Sequence, residues 1–281
     1  MNKLLHANLI RLWKNKAFWI GSIVSVLLIV AACLNQYILL QKYGTEAYGD
    51  LHPDSFMVGS IFFLGVIFSV FSGLFVGTEY SDGVIRNKII TGTLRRNVYL
   101  ANFITCAVAS CAVYLFCCLA GCAMAIPMFG RPELPTLRLF LLLGDGILAC
   151  IAFASIYNFI AMSVPNKTHT AIICILSGIL LLCISGYLMN ALQQPEMVES
   201  VELFTSDMTE ANVVLARNPH YVTGFQRGLY EFLHEFLPTG QGLQINQLTV
   251  AHPLRLAAYS VVIILGMNLA GLYFFERKDI K

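Results

Sequence analysis

The chain has 281 residues, 57% of them hydrophobic and 12% charged, and its mean hydropathy is +0.71. So little charge cannot cover a water-facing surface, which excludes an ordinary soluble domain, a disordered chain and a small disulfide-stapled scaffold. The formal net charge of +2 is too small to suggest a nucleic-acid partner.

The first predicted element is residues 1–16. On a helical wheel Leu5, Leu9, Leu12 and Trp13 share one side, while Lys3, Ala7, Arg11 and Lys14 share the other. Lys3, Arg11, Trp13 and Lys14 therefore suit a basic amphipathic helix at the membrane surface, with lipid as its partner. Six runs long enough to cross a bilayer follow: 17–40, 55–78, 97–130, 139–166, 170–195 and 256–275. Asp145 is the one charge inside them. Val30-Ala31-Ala32-Cys33 has the look of a lipoprotein cleavage box, but the apolar run continues past it to Leu40.

Lys and Arg set the sidedness. Counted over alternate sides, including Lys281 in the tail, twelve basic residues face six. The richer side is the cytoplasmic one, so both termini are expected inside. This gives an all-α integral membrane protein of six spans. An elbow occupies 1–16, and spans one to five occupy 17–190, with a cytosolic segment at 78–97. An outer insertion occupies 191–254, and span six with its cytosolic tail occupies 255–281.

The cytosolic segment reads TEYSDGVIRNKIITGTLRRNV. Ser81 or Asp82 can cap a short helix, Gly92 can end it and Thr93 can cap the next span. Val84, Ile85, Ile89 and Ile90 offer apolar surface, and Arg86 and Lys88 offer charge. Arg95 and Arg96 sit in the first turn of span three against the helix dipole, so they need an acidic partner or anionic headgroups. A plain reversal needs only a handful of residues; a capped helix with exposed isoleucines reads as a docking element.

The outer insertion is too long for a plain loop. Pro195 can start one helix and Asp207 can cap another. Val222, Phe225, Leu229, Phe232, Leu233, Phe236 and Leu237 recur at threes and fours, which predicts an amphipathic helix ending at Pro238. Its apolar face can pack on the chain itself, on the membrane or on a second copy.

Chemistry-bearing motifs are sparse. All nine cysteines fall in apolar runs, and Cys118 and Cys122 have no His or acid beside them to complete a metal site. There is no phosphate-binding loop, no zinc-protease motif and no nucleophile elbow, so no catalytic residue is assigned. Asp145, in Gly144-Asp145-Gly146, reads either as a residue lining a polar path or as a structural acid, paired with Arg138 seven residues earlier or held neutral by hydrogen bonds. Gly73-xxx-Gly77 and Gly266-xxx-Ala270 allow close helix approach.

Together these features resemble the permease subunits of type-2 ATP-binding-cassette (ABC) exporters. The resemblance rests on the basic elbow ending in LWKNKAFW, on GTEYSDGVIRNKIITGTLRRNVYLAN with Glu79, Gly83, Arg95 and Arg96 at the family's acid, glycine and basic positions, on six spans and on the helical outer insertion. It implies that residues 81–91 form a coupling helix that docks on a separate cytosolic ATPase subunit. Glu79, Asp82, Gly83, Val84, Ile85, Arg86, Lys88 and Ile89 would be the coupling residues. ATP and Mg would be held by the ATPase, with no cofactor in this chain. Two permease copies, identical or related, would pair in a bacterial cytoplasmic membrane, with Asp145 as candidate for the path. The outer segment NPHYVTGFQRGLYEFLHEFLPTGQ is similar to those of small bacterial permeases for antimicrobial or lantibiotic-type peptides. From the residues alone, a membrane scaffold or sensor subunit whose outer cap binds a partner remains the alternative, with a secondary transporter third.

Overall fold

A computed structural model describes residues 1–44, 53–203 and 211–278. Asp207 and Lys281 lie outside these. Helix α1 (Asn2–Trp13) leads into α2 (Lys16–Tyr43), which is span one. The turn between them is closed by Asn15, whose Oδ1 accepts from Phe18 N at 3.2 Å. Span two is broken into α3 (Pro53–Val58) and α4 (Ile61–Ser81). After α5 (Val84–Ile90) come span three, α6 (Arg95–Phe129), span four, α7 (Thr136–Ser163), and span five, α8 (Lys167–Gln193). Span six is α11 (Pro253–Arg277). Among the described residues, six helical segments are long and apolar enough to cross a membrane. Successive spans alternate in direction, so one face carries α1, α5 and the C-terminal end, here called proximal; the other is distal.

The distal insertion corrects one expectation. Pro195 starts no helix. An antiparallel hairpin follows instead, β1 (Met197–Leu203) and β2 (Ala211–Arg217), in register from Met197 opposite Arg217 to Leu203 opposite Ala211. Each of these two segments carries two valines, and β-branched residues favour extended backbone. Then come α9 (Gly224–Phe236) and α10 (Pro238–Asn246). Proline at the first position of α10 fits because that N–H has no helical acceptor to lose.

Span two is the most buried span, and spans five and six are the least. Small residues explain the close packing of spans two and five. A methyl at Gly73 would sit 3.0 Å from Ala171 Cα, and one at Gly77 would sit 3.2 Å from Lys167 Cα. Gly266 is different: among the described residues, a methyl built there meets nothing within 4 Å. Gly271 plays that part in span six, where it lies directly under the Tyr99 ring of span three.

The break in span two is filled from both sides. Helix α10 is buried along nearly its whole length, and a methyl at Gly242 would sit 2.7 Å from Ile61 Cγ2. Tyr114 donates to Val58 O at 2.9 Å, satisfying a carbonyl that the break frees. Cys33 is fully buried within the continuous helix of span one. All nine cysteines are unpaired.

Candidate functional site: the proximal junction and coupling helix

The proximal ends of four elements meet on one carboxylate. Glu79, in the last turns of span two, is 1% exposed. Its Oε1 forms an ion pair with Arg11 of α1 and lies 2.6 Å from Lys88 Nζ of α5. Its Oε2 accepts from Asn102 Nδ2 of span three at 2.7 Å. The ring of partners then closes: Asn8 Nδ2 donates to Asn102 Oδ1 at 2.7 Å, and Lys88 Nζ donates to Asn8 Oδ1 at 3.1 Å. Arg11 also donates to Phe75 O at 2.9 Å and lies 3.8 Å over the Phe75 ring. A charge so deeply buried is tolerable only when each of its oxygens is filled, as here.

This geometry changes the roles read from the sequence. Arg11 does not point to headgroups; its guanidinium turns inward to Glu79. Lys3, Trp13 and Lys14 stay exposed, as a surface helix requires. Trp13 packs edge-on to Phe18, and Trp19 Nε1 donates to Trp13 O at 2.9 Å, fixing the elbow's angle to span one. Glu79 is sealed inside and cannot touch another protein.

Helix α5 begins with Gly83 in the left-handed conformation, φ 67°, where a side chain would be strained. Ser81 and Asp82 do not cap it. Gly92, φ 87°, ends it as expected. Span three starts after Leu94, with no side-chain cap from Thr93. Of the apolar residues, Ile85 is 1% exposed and joins the main core, while Val84 and Ile89 are half-buried. The outward apolar surface is Ile90, 70% exposed, and Leu94, 67% exposed. Asp82, Arg86 and Asn87 are exposed around them. Ile85 therefore anchors the helix, and a partner can reach Ile90 and Leu94 instead.

The basic pair after α5 finds its acidic partner inside the chain. Arg96 pairs with Glu276, and Arg95 donates to Glu276 O at 2.9 Å and Lys278 O at 2.6 Å. These are the last carbonyls of span six, so the cations that oppose one helix dipole serve the end of another. Lys278 then donates to Met162 O and Ser163 O, each at 3.0 Å, and to the Tyr80 hydroxyl at 3.2 Å. Burial pushes the Lys278 amine down to about 8.

Asp145 on span four is 5% exposed, and its Oδ2 has no hydrogen-bond partner among the described residues. Arg138 does not pair with it, since its guanidinium donates to Val250 O at 3.2 Å. A methyl on the neighbouring Gly146 would overlap the Tyr114 ring, so Asp145 lies beside the tyrosine that caps the broken span. Sequence reasoning passed over Asp54, which is fully buried and accepts from Glu133 N at 3.0 Å. It also passed over Asn8 and Asn102. Their signal was available for Asn102 at least: an amide side chain in an otherwise apolar run asks for a polar partner.

A family model described as ABC-2 family transporter protein matches residues 4–182. The chain belongs to the ABC-2 transporter family. The match runs from the elbow through most of span five and so includes the whole junction around Glu79. This ABC-2 protein is a multi-pass membrane permease subunit, and its family implies a partner ATPase. The curated proteins include no match to it.

Proposed function

We propose that this ABC-2 permease is the membrane half of a bacterial exporter that moves amphipathic peptides or other hydrophobic compounds outward. A separate ATPase subunit, which holds the ATP and Mg, grips α5, and a second permease copy completes the path. One observation carries the reading: α5 is bolted to the elbow and to spans two and three by the Glu79 cluster, yet Ile90 on it and Leu94 in the turn after it are left exposed. An apolar pair held rigidly off the membrane is costly unless a protein covers it.

In this reading the charge bias places the proximal face in the cytoplasm. Movement of the ATPase pair displaces α5. Lys88 and Ile85 pass that displacement to Glu79 and the core, so spans two and three move with it. Neither the elbow nor α5 can shift alone without exposing a buried charge. Asp145 lies further along, next to the break in span two, and is the candidate residue for the path.

The test is copurification of the ATPase with tagged permease, with Ile90→Asp and Leu94→Asp. Loss of the ATPase while the variant still migrates as wild type in detergent supports the reading. Undiminished copurification with both substitutions present overturns it.

A further inference from the structure

The distal insertion carries a helix turned the opposite way from a soluble one. On α9, Phe225, Leu229, Phe232 and Phe236 share one face, and Arg227, Glu231, His234 and Glu235 share the other. The polar side is partly covered by the protein: His234 is buried, packed against Gly240 of α10, Arg227 and Glu235 are half-buried, and Glu231 is exposed. On the apolar side Phe225 is 88% exposed and Leu229 and Phe232 are also exposed, while Phe236 is half-buried.

Depth along the spans shows what lies on that side. Tyr230 packs on Tyr187, ring centroids 6.1 Å apart. Tyr187 is 20 residues up span five from Lys167, about 30 Å at the helical rise. Phe232 and Phe236 pack on Tyr259 of span six at 5.7 and 5.8 Å. Tyr259 is 18 residues from Arg277, about 27 Å from the proximal end. Both contacts fall at the same height, close to the roughly 30 Å thickness of the hydrocarbon layer. A helix pinned to two spans at similar heights lies close to flat. The two spans it touches expose apolar residues near the same level: Leu180, Ile184 and Tyr187 on span five, and Val261 and Val262 on span six.

We propose that α9 is an interfacial helix, with Phe225, Leu229 and Phe232 set into the acyl-chain boundary of the distal leaflet. Burial of such a stripe in lipid removes large rings from water, whereas a free cap would leave them wet. The ion pairs Arg227–Glu231 and Arg255–Glu235 keep the opposite side polar without asking lipid to solvate it. The helix thus acts as a float that fixes the height of α10, and with it the plug in the broken span two.

The test uses the full chain in phosphatidylcholine–phosphatidylglycerol vesicles, with Trp13 and Trp19 replaced by Phe so that one introduced tryptophan reports alone. Phe225→Trp should emit at shorter wavelength and be quenched several-fold more by brominated acyl chains than by aqueous iodide. Gln226→Trp, off the stripe, should show the reverse preference. Iodide quenching of Phe225→Trp without lipid quenching means a water-exposed cap and overturns the proposal. Protection from both quenchers means a protein surface, such as a second copy, and overturns it as well. A variant-free check uses wild-type protein and a photoreactive fatty acid. Labelling of the Gly224–Phe236 peptide at Phe225, Leu229 or Phe232 is expected, and labelling confined to the spans counts against the helix being in lipid.

Discussion

Lys88 Nζ lies 2.6 Å from Glu79 Oε1, so a charge on α5 is bound to a carboxylate sealed at the end of span two. The same oxygen is shared with Arg11, which makes one acid the joint between elbow, coupling helix and bundle. Removal of the acid alone is the sharpest disruption, because it strands two cations. Glu79→Ala should lower unfolding stability in detergent by about 3 kcal/mol, the scale for breaking a buried pair at one end. The triple replacement Glu79→Leu, Arg11→Met and Lys88→Met should recover much of that loss, since no charge is then left unpaired. Thermal unfolding of the three proteins checks this. A triple variant as unstable as Glu79→Ala would show that the cluster contributes net attraction.

Two isoleucines five residues apart on α5 should behave oppositely. Ile85 lies in the core, so Ile85→Ala should cost about 2–4 kcal/mol. Ile90 is open to solvent, so Ile90→Ala should stay within about 0.5 kcal/mol of wild type. Chemical denaturation in mild detergent measures both. Equal costs would mean that α5 is rotated relative to the structure described.

That pair also marks the boundary of what the sequence reveals. Six spans are readable because hydropathy is summed over about twenty residues, which averages out local error. The orientation of a seven-residue helix is not, because Val84, Ile85, Ile89 and Ile90 differ only in what lies above them. Arg11 was assigned to the membrane surface by its place on the wheel; the buried Glu79, 68 residues later, outweighs that preference. The distal hairpin was missed because Pro195 is equally good before a strand, and Val198, Val201, Val213 and Val214 were the neglected signal. The distal amphipathic helix was legible, but its inverted facing depends on Tyr187 and Tyr259, which no local pattern brings together.

Asp145 offers a separation of stability from transport. Its Oδ2 lacks a partner among the described residues, so Asp145→Leu should raise thermal stability by about 1 kcal/mol. If the residue lines the path, Asp145→Asn should reduce cargo-stimulated ATP hydrolysis several-fold while the ATPase still copurifies. Full stimulation in both variants would return Asp145 to a purely structural role.

Close approach of spans three and six rests on Gly271. A methyl there overlaps the Tyr99 ring and hydroxyl, and Tyr99 is fully buried and has no room to swing. Gly271→Ala should therefore cost about 1–3 kcal/mol in thermal unfolding, whereas Gly266→Ala should cost nothing measurable. Equal effects would place Gly266 at a contact with another molecule.

His234 makes the distal insertion sensitive to acid. Burial holds its imidazole below the ordinary value of 6.5, opposed only in part by Glu235. The charged groups around it are already engaged, Glu235 with Arg255 and Glu231 with Arg227, so little negative charge is free to stabilise an imidazolium. Because the folded value lies below the unfolded one, the opened state takes up the proton first. The stability of the segment is thus complete above about pH 6.5 and drains as pH falls through the window beneath it. Protection factors over Gly224–Asn246, corrected for the intrinsic pH dependence of amide exchange, should fall between pH 7.5 and 5.5, while those of spans two and three hold constant. His234→Leu should flatten the profile, because a group that cannot bind a proton has no linkage to pH. An unchanged wild-type profile across that window would mean that the imidazole reaches water without any opening of α9 from α10.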